Sequence, residues 1–210
     1  MWFVWLPHYR PALKPGERYG IDVSHHQGLI DWRRVAADDI MFAYIKASEG
    51  TDHRDRRFIA NWQGAAEVGI ERGAYHFFTL CSAGEAQARN FLDAISPDED
   101  AMPPAVDLEI AGNCASPPGP AVIQAELNRF LQILESEWGR PALLYVGDDF
   151  RARYGFVNSL DRPIWHRRFL LRPDIDGWVV WQVTGWAHVD GIDGDVDLDV
   201  TAAQLPPADA

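Results

Sequence analysis

The sequence predicts an α/β fold: an irregular (β/α) TIM-like barrel of roughly five β/α units followed by three strands with weak connectors. Three features predict it. Apolar, β-rich runs alternate with amphipathic helical stretches up to residue 146. Beyond that point the helical periodicity fades while β-rich runs continue. Acids and aromatics recur where strands end, the rim on which parallel α/β folds carry their chemistry. An open doubly wound sheet is the alternative that this rhythm leaves open.

The elements follow in order. Residues 1–18 form a lead-in, broken by Pro7, Pro11, Pro15 and Gly16. It begins M-W-F-V-W-L-P, which is apolar but too short to cross a bilayer and lacks a basic flank and a cleavage site. It is consistent with the trimmed remnant of a membrane anchor or signal region. The barrel domain is expected over 19–200. Y-G-I-D-V-S (19–24) reads as a buried strand, 31–38 as a short helix opened by Asp31, and M-F-A-Y-I-K-A-S (41–48) as the second strand. A helix over 55–69 puts Phe58, Ile59, Trp62, Ala65 and Ala66 on one face. G-A-Y-H-F-F-T (73–79) is the third strand, 83–95 a helix, and P-P-A-V-D-L-E (103–109) the fourth strand. The strongest helix spans 120–138, with a stripe of Val122, Leu127, Phe130, Leu131 and Leu134 and a stop at Gly139. P-A-L-L-Y-V (141–146) is the fifth strand. Strands over 162–169, 178–183 and 195–200 are separated by loops or a short turn, and the tail 201–210 is expected to fray.

Composition narrows the partners. A net charge of -12 argues against a phosphate-binding surface and adhesion to anionic lipid, both of which need clustered cations. No nucleic-acid partner is expected. The 9 Trp, 6 Tyr and 10 Phe supply many flat apolar faces, which build cores and also stack on sugars, so position must separate the two uses.

Strand ends carry the candidate chemistry. Side chains alternate along a strand, so Asp107 and Glu109 point together while Leu108 faces the helices. Two carboxylates in one poorly solvated site divide their roles: one keeps its proton and the other stays charged. Glycosidic cleavage needs that division. Glu109, longer and nearer the strand end, is assigned as general acid and base, and Asp107 as its ionised partner. Asp22 and Asp197, on the first and last strands, become neighbours if the barrel closes. A surface pair or salt-bridge partners is the competing reading of a lone D-x-E. The apolar flanks P-P-A-V and Leu108 oppose it, because an unpaired buried carboxylate is costly.

Taken together, these segments resemble the muramidases of glycoside hydrolase family 25, the Chalaropsis-type lysozymes. G-I-D-V-S-H-H-Q-G (20–28) with I-D-W (30–32), F-A-Y-I-K-A-S-E-G (42–50), R-G-A-Y-H-F-F (72–78), P-P-A-V-D-L-E (103–109), W-Q-V-T (181–184) and G-D-V-D-L-D-V (194–200) carry the resemblance. It implies an irregular (β/α) barrel and hydrolysis of the β-1,4 bond between N-acetylmuramic acid and N-acetylglucosamine. It also implies Glu109 as acid with Asp22, Asp107 and Asp197 as carboxylate partners, and retained stereochemistry. The D-x-E resembles that of substrate-assisted chitinases, which favours Asp107 orienting an N-acetyl-derived intermediate. A peptidoglycan substrate implies an extracellular, periplasmic or cell-surface site of action and needs no cofactor; a monomer is expected. The sixth strand departs from the family pattern: His166 and Arg167 stand for small or apolar residues, and Asp199 stands where Asn is usual.

Several residues carry two readings. Tyr75, His76, Tyr145, Trp165, Trp181 and Gln182 lie at or near strand ends and are the substrate-contact candidates; for the aromatics, core packing competes. His25 and His26 beside Asp22 lack a third ligand at metal spacing, so no metal is assigned and they read as loop residues. The string Asp190, Asp193, Asp195, Asp197, Asp199 lacks the Gly and distal Glu of a calcium loop. Cys81 and Cys114 follow adjacent strands; a disulfide and two free thiols both remain open.

Overall fold

Eight strands close into a ring with helices outside it. The computed structural model describes residues 6–175 and 177–202. The strands are β1 (Arg18–Val23), β2 (Ile40–Glu49), β3 (His53–Arg54), β4 (Glu71–Phe77), β5 (Ala105–Leu108), β6 (Leu143–Gly147), β7 (Ile164–Arg167), β8 (Trp178–Ala187) and β9 (Val196–Thr201). The helices are α1 (Trp32–Ala37), α2 (Phe58–Glu67), α3 (Gly84–Ala94), α4 (Pro120–Trp138) and α5 (Asp148–Arg153). Around the ring the order is β1-β9-β8-β7-β6-β5-β4-β2, sealed by β1 against β2, with β3 a short hairpin partner of β2. The barrel is therefore closed, and the open-sheet alternative falls.

Around the ring, pairing is parallel except at β9, which runs against both β8 and β1. That reversal corrects the expectation that Asp197 ends its strand. It sits second in β9, and because β9 points the other way its start meets the same rim as the ends of the other strands. Asp197 lies directly opposite Asp22.

Local chemistry explains most boundaries. The Asp31 carboxylate caps α1 by accepting from the Arg33 and Arg34 amides. Pro120 opens α4, and Gly139, at φ 65°, closes it. The α4 stripe differs from the expectation by one position: Ile123 is buried, whereas Val122 is exposed. Ile59 likewise faces solvent on α2, where Phe58, Asn61 and Ala65 face inward. The helix α5, in a stretch where the sequence predicts loops or a short turn, is too short for periodicity to register. Its acids at the first turn (Asp148, Asp149) and bases at the last (Arg151, Arg153) are the available signal. In the lead-in, Leu6–His8 forms a single turn whose Pro7 carbonyl accepts from the His188 amide, and Arg10 pairs with Asp38. Thr201, expected in the tail, completes β9. Residues 1–5 and 203–210 lie outside the described residues.

Two layers of core result from strand alternation. Inside the barrel, Phe42, Tyr44, Tyr75, Leu143, Tyr145, Trp165 and Val180 pack as an aromatic plug. Between barrel and helices lies an aliphatic shell that includes Val106, Leu108, Leu144 and Val146. The crossing of α3 over α4 depends on Gly84, where a Cβ would stand 1.8 Å from the Glu126 carbonyl oxygen. Backbone cannot yield as a flexible side chain can, so Gly84→Ala must lift α3 from α4. We expect a loss of about 1–3 kcal/mol, read as a lowered thermal midpoint.

Candidate active site

At the barrel mouth, β1, β5 and β9 each direct a carboxylate into one cleft of ≈ 330 Å³. Alternation on β5 turns Ala105 and Asp107 inward and Val106 and Leu108 toward the helices, and Glu109 follows at the rim. Asp22 from β1 and Asp197 from β9 complete the acidic lining. Polar contacts join these groups across the mouth. The Tyr145 hydroxyl lies 2.8 Å from Gln182 Oε1 and 3.3 Å from Glu109 Oε1. The Gln182 amide donates to Asp22 Oδ2 at 3.1 Å. Asp107 Oδ1 is buried without a hydrogen-bond partner among the described residues.

Burial governs the electrostatics. It pushes Asp22 and Asp107 well above the usual carboxylate range; the charge of Asp197 adds to the rise at Asp22, and that of Glu109 to the rise at Asp107. Asp197 is raised to about 6, again chiefly by burial. Glu109 is raised by the same cause, but the Arg167 guanidinium and the Tyr145 hydroxyl pull it back. Arg167 is a cation beside Glu109 that the sequence pattern does not place there. The two acids share a site and titrate as a pair.

Beneath the cleft, Asp199 is fully buried and accepts from Trp165 Nε1 at 2.9 Å. Burial and the charge of Asp197 push its carboxyl well up. The charge of Asp199 in turn helps raise Asp22, the direction expected from its departure from Asn.

The substrate-contact candidates divide. Tyr75, Tyr145, Trp165 and Gln182 line the cleft. Trp165 is only 2% exposed and forms the floor, its ring 4.7 Å from that of Tyr44 and 5.0 Å from that of Tyr145. His76 and Trp181 do not reach the cleft, and strand parity is the reason: each alternates with an inward neighbour. His76 faces α3 and α4, bonded to Ser48 Oγ at 2.8 Å and to Gln87 Oε1 at 3.2 Å, and burial lowers it to about 3. Trp181 packs in the outer shell and donates from Nε1 to the Arg168 carbonyl.

Lys46, Arg167 and Phe169 are among the cleft residues that the sequence leaves without a role. Lys46 projects from β2, pairs with Glu49 at 2.6 Å and is 8% exposed. A lysine inside the apolar run F-A-Y-I-K-A was the available signal. Arg167 reaches Glu109 and Asp149. Phe169 stands at the cleft edge, partly exposed and edge-on to Trp186 at 5.0 Å. Trp165, Arg167 and Phe169 share one parity. His26 and Gln27 also border the cleft, whereas His25 bonds Asp55 from outside it.

The loops after β4 and β5 are joined by a Cys81–Cys114 disulfide. Beside it the Asn113 amide donates to the carbonyls of Phe78 at 2.9 Å and Glu109 at 3.1 Å, clamping the backbone at the acid. A larger groove of ≈ 1030 Å³ lies along α1, α2 and the 188–194 loop, away from the acid pair. Within it, Arg10 pairs with Asp38 and Arg34 with Asp190.

A barrel mouth holding an acid pair, further carboxylates and an aromatic floor has the equipment of a glycoside hydrolase. Residues 21–192 match the profile of glycosyl hydrolases family 25, and the chain belongs to that family. It is 36% identical to the uncharacterized protein YegX of Escherichia coli O157:H7, covering 87% of this chain and 68% of that one. It is 34% identical to Lysozyme M1 of Streptomyces globisporus, covering 85% and 65%. The bacterial lysozyme structure from Streptomyces coelicolor superposes with a TM-score of 0.78 at 32% identity, covering 87% of this chain and 90% of that one.

Burial of Asp199 fixes a sign for stability. Its folded affinity for a proton exceeds its unfolded affinity, so its contribution is present at acid pH and lost as pH rises through the folded value. Asp199→Asn can keep the acceptor for Trp165 while removing the ionisable group. We expect it to stabilise the fold by ~1–3 kcal/mol near pH 8 and to make little difference near pH 4. Thermal melts at the two pH values check this.

Proposed function

We propose that this glycoside hydrolase is a muramidase, cutting the β-1,4 bond between N-acetylmuramic acid and N-acetylglucosamine in peptidoglycan. The observation that carries the reading is the Asp107–Glu109 pair at the end of β5, facing one cleft in a family 25 barrel. The names of two relatives support the substrate: Lysozyme M1 and the Streptomyces coelicolor lysozyme. An acidic chain fits a polymer bound through sugar faces and hydrogen bonds rather than a phosphate-linked one.

Glu109 is the general acid and base. It stands at the rim, where a leaving oxygen can reach it, while Asp107 lies deeper. One proton serves the pair. As Glu109 gives it to the leaving oxygen, the carbonyl oxygen of the substrate's own N-acetyl group closes on the anomeric carbon, with retention overall. Asp107, then ionised, stabilises the positive charge of that ring. Its unpartnered Oδ1 is free to accept from the acetamido N–H. Water opens the intermediate with Glu109 now as base. Asp22 and Asp197 orient the cleft: Asp22 holds Gln182, and through it Tyr145. The disulfide and a cell-wall substrate support action outside the cytoplasm.

Glu109→Gln is expected to lower turnover of peptidoglycan by about 10²–10⁴-fold with the thermal midpoint nearly unchanged. Reducing ends identified after digestion of peptidoglycan and of chitin give the bond specificity: new muramic acid termini are expected, and chitin cleavage alone would refute the assignment. Anomeric NMR of the first product should show retention; inversion would exclude N-acetyl participation.

A further inference from the structure

Arg167 is in direct contact with Glu109. Its Nη1 contacts Glu109 Oε1, and its Nη2 lies 2.7 Å from Asp149 Oδ1. A guanidinium on a carboxylate favours its ionised form, and an ionised carboxylate donates no proton. The grip is built in. Arg167 on β7 pairs in register with Gly147 on β6, and a Cβ at 147 would stand 2.7 Å from Arg167 Nη2 and 2.9 Å from Nε. The guanidinium lies where that side chain would be. Its own side chain remains 23% exposed at the cleft, within reach of a ligand.

We propose that Arg167 is a latch on Glu109, released when a carboxylate on the muramyl substituent of the glycan takes the guanidinium. Cleavage is then selective for strands that carry an anion beside the scissile bond. This rests on the muramidase reading. The chemistry is exchange of one carboxylate for another on a planar donor fork, which binds either in the same geometry. Asp149 keeps the fork in place during the exchange. Lys46 is less suited to the role, because it is more deeply buried and already paired with Glu49.

Release changes the acid in the required direction. The groups facing Glu109 are Lys46 from β2, Asp107 from β5, Tyr145 from β6, Asp149 from α5, Arg167 from β7 and Asp197 from β9. With Arg167 occupied by substrate, the nearby acids and burial dominate, and Glu109 takes up the proton it must deliver. Arg167 is a positioning and specificity residue; the proton stays with the carboxylate pair.

The carboxylate can come from the lactyl group of a peptide-free strand or from the stem peptide. Three substrates separate these sources: peptide-free strands with free lactyl carboxylates, the same strands with lactyl groups amidated, and peptide-bearing strands. The wild type should cleave the amidated strands about tenfold or more slowly, in kcat/KM, than the better of the two anionic substrates. In Arg167→Ala and Arg167→Gln that preference should shrink to about twofold or less. On amidated strands the alkaline limb of kcat/KM should move to higher pH in both variants, a shift that simple loosening of the fold would not give. Equal cleavage of charged and neutral strands by the wild type, or discrimination surviving in both variants, would overturn the latch and leave the muramidase reading standing. No cleavage of any strand would remove both.

Discussion

Everything at the mouth follows from a shortage of water around too many acids. Asp22, Asp107, Glu109, Asp197 and Asp199 converge within and beneath one cleft, and burial is the largest influence on each. They cannot all carry charge at once. The site resolves this by sharing protons, by the cations Lys46 and Arg167, and by tying Asp22 to Tyr145 through Gln182. A barrel plugged by aromatic rings beneath the cleft supplies the dryness. Stability is sacrificed for that arrangement, since each buried acid opposes folding once it ionises.

The barrel depends on its one reversed strand. A parallel β9 would carry Asp197 to the opposite end from Asp22. Antiparallel pairing places the two carboxylates face to face from the last and first strands. Closing the ring and assembling the acidic cluster are thus a single structural event, and residues 196–201 serve both.

Much of this was legible in the chain. The strand–helix rhythm pointed to an α/β barrel while leaving an open sheet as its rival, and the period of two gave the shared direction of Asp107 and Glu109 with Leu108 turned away. Four acids reached the expected rim. What escaped detection did so for physical reasons. His76 and Trp181 stand next to cleft residues in sequence but on the opposite face, and which parity faces inward is fixed by closure, not by local pattern. The helix α5 is shorter than two turns, below what periodicity resolves. Arg167 was visible as an irregularity, yet its effect on Glu109 needed β6 and β7 in register, with Gly147 leaving the space. The direction of β9 had no signature at all, because a strand reads alike both ways.

The Cys81–Cys114 bridge lies one residue from Asn113, whose amide grips the carbonyl of Glu109. The backbone at Glu109 is thereby moored to a covalent link that only an oxidising milieu sustains. Reduction of the bridge would leave that stretch of backbone on a slacker tether, so the redox state of the surroundings sets how firmly the rim of the cleft is held.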